Sequence, residues 1–407
     1  MLEVICYVQT KQSVPDMKKI LFTLFLSGAC TMMPAWSFAE SGVADESSVS
    51  ERKTSHSDDE RMSTLEKVLE KMPKISGYIQ TGYCFQSKDV AGKDDNVSTF
   101  QAKRFRFILD SKISERFDIR AQFELFSSSK DPRGKATFTV MDAFANYHVL
   151  PELHVRAGQY FLPLGFENYD ISPATLETVD FSSLCYRMVC RNAVTAPGYV
   201  DYGRDLGVML YGDCFPSADG NFNYLSYNLS YSNGSLPTIE DSNKSKDVVG
   251  RLVFRPVERL RIMGSYHYGK YTQKDAEGAL VHDNAGMNRI MAGAWYENPK
   301  GLIVRGEYGY MRSSDADVKE QGFYLLAGYH LGKFQPVVRY ELYRDGARKL
   351  DRMNKNTYLM GVAYEPVKNF KVQANYMLNT YTDDIRDSDM LHTGTGHQVQ
   401  IMCVARF

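Results

Sequence analysis

Tryptophan is nearly absent: the chain has 2 in 407 residues, against 27 tyrosines and 22 phenylalanines. An excess of charge of either sign is also missing. Lysine and arginine number 48 and acidic residues 49, a net charge of −1, so nothing global points to nucleic acid. Seven cysteines are few for a secreted disulfide scaffold. Cys6 and Cys30 precede the expected mature chain, and the spacing of Cys84, Cys185, Cys190, Cys214 and Cys403 matches no zinc site. Cys185 and Cys190 share one loop and could bridge in an oxidising compartment. Catalytic motifs are lacking too. His148, His154 and His267 could face a lumen and serines are plentiful, but nothing marks a Ser-His-acid set. The chain is therefore read as a non-enzyme without cofactor or metal, an outer-membrane hydrolase being the remote alternative.

What is abundant is tyrosine, whose apolar ring and polar tip suit both a membrane interface and a polar lumen. A Tyr-rich soluble β-sandwich would share that composition. The amino-terminal region suggests the compartment. Lys18 and Lys19 precede the apolar run 20–26, and Ser37-Phe38-Ala39 offers a small-x-small site. This predicts an export signal over 1–39, with Met17 as the start and cleavage after Ala39. Residues 40–73 read as a flexible periplasmic linker followed by a short amphipathic helix, with Leu65, Val68, Leu69 and Met72 at helical spacing.

From Lys74 the period changes to two. In Phe117-Asp118-Ile119-Arg120-Ala121-Gln122-Phe123-Glu124-Leu125, apolar and polar residues alternate without exception. Charges at mid-membrane cost a few kcal/mol on a lipid face, so the polar set must point inward. About sixteen such segments of membrane-spanning length fill 74–407, separated by alternating tight and long gaps. Tight gaps include Pro151-Glu152 and Asn298-Pro299-Lys300; long ones include 87–98, 163–202 and 272–286. A sandwich has turns of more uniform size. The expected fold is all-β: a transmembrane up-and-down antiparallel β-barrel of about 16 strands, preceded by a short periplasmic helix. The last strand ends in Phe407, which resembles the assembly signal of bacterial outer-membrane barrels.

A barrel of this size leaves a water-filled channel, and its function depends on what narrows it. The gap 163–202 is about three times the usual length here, and such loops are commonly functional; it is expected to fold inward as a constriction. Arg104, Arg106, Arg120 and Arg156 fall on early strands, while Arg187, Arg191 and Arg204 lie in or just after the long loop. These seven are the candidate channel-lining residues, because guanidinium forks bind carboxylate and phosphate oxygens. The competing role is pairing with Asp110, Asp118, Glu124 or Asp142, and likewise Arg305 with Glu307 and Arg339 with Glu341. Glu167, Asp170, Glu177, Asp180 and Asp201 make the loop acidic, which predicts modest anion preference at most.

Lys74-Ile75-Ser76-Gly77-Tyr78-Ile79-Gln80, Lys103-Arg104-Phe105-Arg106-Phe107, Val155-Arg156-Ala157-Gly158-Gln159-Tyr160 leading into Pro163-Leu164-Gly165-Phe166-Glu167, and Gly203-Arg204-Asp205-Leu206-Gly207-Val208 together resemble the phosphate-selective porin O and P family, especially its Bacteroidetes-type members. The resemblance covers roughly 74–407. It implies a bacterial outer-membrane porin, a homotrimer among lipid and lipopolysaccharide, with its third extracellular loop folded inward. Founding members line the constriction with arginines and bind phosphate, and the acidic loop here departs from that pattern. The expected function is passive diffusion of small hydrophilic solutes, anions such as phosphate included. A surface-exposed adhesion barrel is the alternative.

Overall fold

The computed structural model describes residues 72–91, 95–127, 137–189, 203–234, 245–274, 280–313, 315, 318–345, 354–381 and 395–407. The expected signal segment, the linker and most of the amphipathic helix lie outside these residues, as do Cys190, Arg191 and Asp201. Sixteen strands are present among the described residues. On the first half run β1 (Lys74–Gln86), β2 (Val97–Ser114), β3 (Phe117–Ser127), β4 (Thr137–Leu150), β5 (Leu153–Phe161), β6 (Arg204–Pro216), β7 (Asn223–Ser232) and β8 (Asp247–Val257). Then come β9 (Leu260–Lys274), β10 (Leu280–Glu297), β11 (Leu302–Ser313), β12 (Val318–Tyr329), β13 (Phe334–Asp345), β14 (Lys355–Val367), β15 (Phe370–Tyr381) and β16 (Thr395–Arg406). Each pairs antiparallel with its neighbours in sequence, and β16 returns to β1 to close the barrel. At the seam Tyr78 faces Arg406 and Gln86 faces Gln398, and Gly77 and Phe407 exchange two backbone hydrogen bonds of 3.0 Å. Among the described residues closure leaves no strand edge unpaired, the requirement for a sheet in hydrocarbon.

The two faces separate as the alternation dictates. Outward residues such as Leu206, Val208, Leu210, Leu252, Phe254, Ile262, Leu325, Tyr358 and Met360 are exposed and form the apolar surface a bilayer would cover. Inward residues are charged or polar in the early strands. In the later strands the inward set also includes Val253, Met263, Met287, Met291, Ile303 and Met311, all buried. Something apolar must therefore fill that side of the lumen.

The long polar gap expected at 272–286 is largely strand. β9 continues to Lys274 and β10 starts at Leu280, with register shifts near His282 and Ala285. Backbone pairing carries the hairpin on through a polar segment that side-chain alternation alone reads as loop.

Two further bulges matter for the interior. β1 and β2 shift register between Gln80 and Thr81, where Gln80 opposes Arg104 and Thr81 opposes Ala102. Lys103 is the extra residue, so Lys103 and Arg104 both reach the lumen although consecutive residues normally face opposite ways. The same device at Gln122/Phe123 leaves Met141 and Asp142 both buried.

Candidate channel constriction

Between β5 and β6 the chain turns inward, and its neck is closed by the Leu162 amide donating to the Gly203 carbonyl at 2.9 Å. Helix α2 (Phe166–Asp170) and helix α3 (Ser183–Val189) lie within this loop; α1 (Lys88–Ala91) is a short turn between β1 and β2. Leu162, Leu164, Leu184, Met188 and Val189 pack with Met291, Ile303, Met311, Tyr324 and Leu326 of the wall. Phe166, Ile171 and Leu176 pack with Val253, Met263 and Trp295. Burying each large apolar side chain is worth about 1.5–3 kcal/mol relative to exposure. The inward methionines and isoleucine of the later strands thus have their partner. The loop leans on that wall and leaves the β2–β6 side open.

Polar contacts fix its register. Glu307 accepts from the Phe166 and Glu167 amides at 2.6 and 3.1 Å, at the start of α2. Glu341 accepts from the Ser183 amide at 2.8 Å, at the start of α3, and Arg289 donates to the Met188 and Val189 carbonyls at its end, at 2.8 and 3.0 Å. Acid at the amino end and base at the carboxyl end satisfy the groups a short helix leaves unpaired. Between the helices, Lys371 and Gln373 donate to the Leu176 carbonyl at 2.7 and 2.8 Å. Gly165 makes the entering turn at φ 76°.

Among the described residues, the acidic side chains of the loop are tied to wall bases. Glu177 pairs with Arg305, Asp170 with Arg251, and Asp180 with Lys103 and Arg104. Glu167 lies 3.6 Å from Arg305 and 3.7 Å from Arg339 and accepts from Ser182. Burial opposes charge on Asp180, but Lys103 and Arg104 beside it hold its carboxyl well below the usual carboxylate range.

The candidate arginines divide sharply. Arg106 pairs with Glu124 at 2.9 Å, Arg204 with Asp142 at 2.5 Å, and Arg120 holds Asp110 through two bonds of 2.6 and 2.9 Å. Glu124, Asp110 and Asp142 are thus partners as the sequence suggested. Asp118 binds Asn146 and His148 instead. Arg104 donates to Gln80 and reaches Asp180 at 3.5 Å. Arg156 has no carboxylate within ion-pair distance among the described residues; it donates to Asn146 at 2.8 Å and lies over the Phe144 and Tyr211 rings at 4.1 and 5.0 Å. Arg187 is half-buried on α3 and borders neither cavity described next. Arg339 meets Glu341 at 2.7 Å as expected, whereas Arg305 bypasses Glu307 for loop carboxylates. Alternation identifies inward residues but not what the loop brings to meet them.

Two cavities stack along the open side. One of about 520 Å³, toward the long loops, is bordered by Lys103, Arg104, Arg204, Tyr186, Arg339 and Glu341. The other, about 350 Å³, lies toward the periplasmic end and is bordered by Arg120, Asp142, Phe144, Arg156, Tyr169 and Asp170. Arg106, Phe161, Asn168 and Pro173 border both. Two of these come from the wall strands and two from the loop, so the narrowing is made where loop faces wall. The sequence reading missed Phe161, Asn168 and Pro173, which carry no charge signal.

Residues 266–407, from within β9 to the end of β16, match the family described as phosphate-selective porin O and P. The chain is also 30% identical over 115 residues to an uncharacterized protein of Aquifex aeolicus (strain VF5), a match spanning 27% of each chain. Among solved structures it resembles the anion-selective porin of Comamonas acidovorans, at 14% identity and a TM-score of 0.56 over 82% of this chain and 99% of that one. It also resembles the outer-membrane channel DcaP of Acinetobacter baumannii, at 13% and 0.57 over 82% and 97%. Salmonella typhi OmpF, solved in complex with daunomycin, matches at 16% and 0.57 over 83% and 99%. These likenesses establish the barrel fold.

Proposed function

We propose that the protein is a passive channel for small hydrophilic solutes, a homotrimer among lipid and lipopolysaccharide, with a modest preference for anions at most. It needs no cofactor and catalyses no reaction. The observation that carries this reading is the pair of cavities that share Arg106, Phe161, Asn168 and Pro173 in their linings beside an ordered loop. Of the candidate arginines on the strands, Arg106, Arg120 and Arg204 are paired with wall carboxylates and Arg104 leans on Asp180. A guanidinium held by a carboxylate offers a passing anion few donors and little net field. Arg156 keeps its full charge and lines the inner cavity, so it carries what anion preference there is.

Liposome swelling tests the reading. Vesicles carrying the folded protein should swell in small neutral sugars, progressively less as sugar size rises. No swelling in any sugar, from protein that migrates as a heat-modifiable barrel, would remove the channel assignment.

A further inference from the structure

His148 and His154 lie outside the constriction, at the periplasmic mouth. They are direct partners across the β4–β5 hairpin, next to the tight Pro151-Glu152 turn. Their Nδ1 atoms face each other at 3.0 Å, with ring centroids 4.8 Å apart and planes at 78°. A metal-free pair can hold this geometry only if one Nδ1 carries a proton and the other does not. Two lone pairs converging on one cation fit the same geometry. Ligand bonds of about 2.1 Å at a right angle separate the nitrogens by about 3.0 Å, and a small opening reaches the tetrahedral value of about 3.4 Å.

The surroundings select the required tautomer. His148 Nε2 lies 2.6 Å from Asp118 Oδ2, and Asp118 Oδ1 accepts from Asn146 Nδ2 at 2.6 Å. A carboxylate so placed keeps the His148 proton on Nε2 and leaves the Nδ1 lone pair pointing at His154. This carboxylate–histidine relay is the support that metal-binding imidazoles characteristically have. The His154 ring lies 5.1 Å from the Tyr211 ring. Both histidines stand on paired strands, so little ordering is required on binding. The His148 and Asp118 side chains are 35% and 34% exposed and border a cavity of about 420 Å³ with Lys74, Asp110, Lys112 and Glu115. A cation can approach from the His148 side, where this cavity lies.

We propose that His148 and His154 form a bidentate site for a late first-row divalent cation, with Asp118 as the positioning residue behind His148. Imidazole pairs suit Zn²⁺, Cu²⁺ and Ni²⁺, whereas Mg²⁺ and Ca²⁺ require oxygen ligands. The site does not depend on the channel reading, since binding is measured without conductance.

The test is equilibrium dialysis of the full-length, untagged protein in detergent against ZnCl₂ with excess Mg²⁺. One saturable Zn²⁺ per chain is expected. His148→Ala and His154→Ala should each weaken it at least tenfold, Asp118→Asn by about tenfold, and His397→Ala, at the other end of the barrel, not at all. Heat-modifiable gel migration verifies that each variant is folded. If a histidine variant fails to fold, diethyl pyrocarbonate mapping of the wild type decides: Zn²⁺ should protect both rings. Absence of saturable binding, binding that survives both histidine substitutions, or unprotected rings would overturn the site and leave a plain imidazole–imidazole hydrogen bond.

Discussion

The Glu177 carboxylate of the inward loop meets the Arg305 guanidinium of β11 fork to fork, with Nη1–Oε1 at 2.9 Å and Nη2–Oε2 at 2.8 Å. Both side chains are almost entirely out of water, at 7% and 0% exposure. Burial opposes the charge on Glu177, but Arg305 overrides it and holds the carboxyl below its ordinary range. The pair joins the middle of the loop to the wall.

Removing one partner leaves the other charged and buried, at a cost of about 3–5 kcal/mol. Arg305→Met should therefore release the loop, seen as protease cleavage within 163–189 while the barrel keeps its heat-modifiable migration. The double variant Arg305→Met/Glu177→Met should recover most of the protection. Unchanged cleavage in the single variant would show that apolar packing alone holds the loop.

Arg156 and the paired arginines should differ in selectivity. Arg156→Gln should move the reversal potential in a salt gradient toward cations, because it removes a charge with no carboxylate beside it. The charge-neutral double variant Arg106→Gln/Glu124→Gln should leave it nearly unchanged. Equal shifts in the two would mean that pairing does not mute a lumen arginine.

Asp180 gives the loop its pH dependence near β2. Its folded carboxyl titrates below the unfolded one, so its contribution is complete above the unfolded value of about 3.9 and is lost as pH falls through the folded value. The difference in loop protection between wild type and Asp180→Asn should be constant from about pH 7 to 4 and shrink only in stronger acid. A difference that already shrinks between pH 7 and 5 would show that Asp180 is not held below its ordinary range.

Gly165 enters the loop at a backbone angle side chains rarely adopt, φ 76°, and an added Cβ would sit 2.8 Å from Glu307 Oε2 and 2.9 Å from Met291 Cε. Gly165→Ala should cost about 1–3 kcal/mol of strain, read as a lower temperature for loop release and noisier channel current. Wild-type behaviour would mean that the turn relaxes freely.

The barrel was legible because membrane burial imposes one rule on every strand: period two, with charges inward. Phe117–Leu125 states that rule in nine consecutive residues, and the tight Pro151-Glu152 turn marks where it reverses. The bulge at Lys103 was not legible, because strict alternation puts Lys103 on the outward face with Phe105 and Phe107. The site was less legible than the barrel. Arg106 with Glu124 and Arg120 with Asp110 are neighbours on paired strands, so register brings them together. Arg305 with Glu177 joins residues far apart in the chain, and no local pattern encodes the path of a loop. The same applies to Asn168 and Pro173, whose role comes from where the loop rests. The loop's acidity, read alone, suggested an opposing field in the channel; in the fold Glu177, Asp170 and Asp180 are consumed by wall bases.

The central claim is an open polar route past an ordered loop, and planar-bilayer recording of the purified, folded protein tests it most directly. Discrete, ohmic conductance steps are predicted, with Arg305→Met keeping the steps and adding fluctuations as the loop loosens. A bilayer that contains folded, heat-modifiable protein and shows no steps would contradict the account.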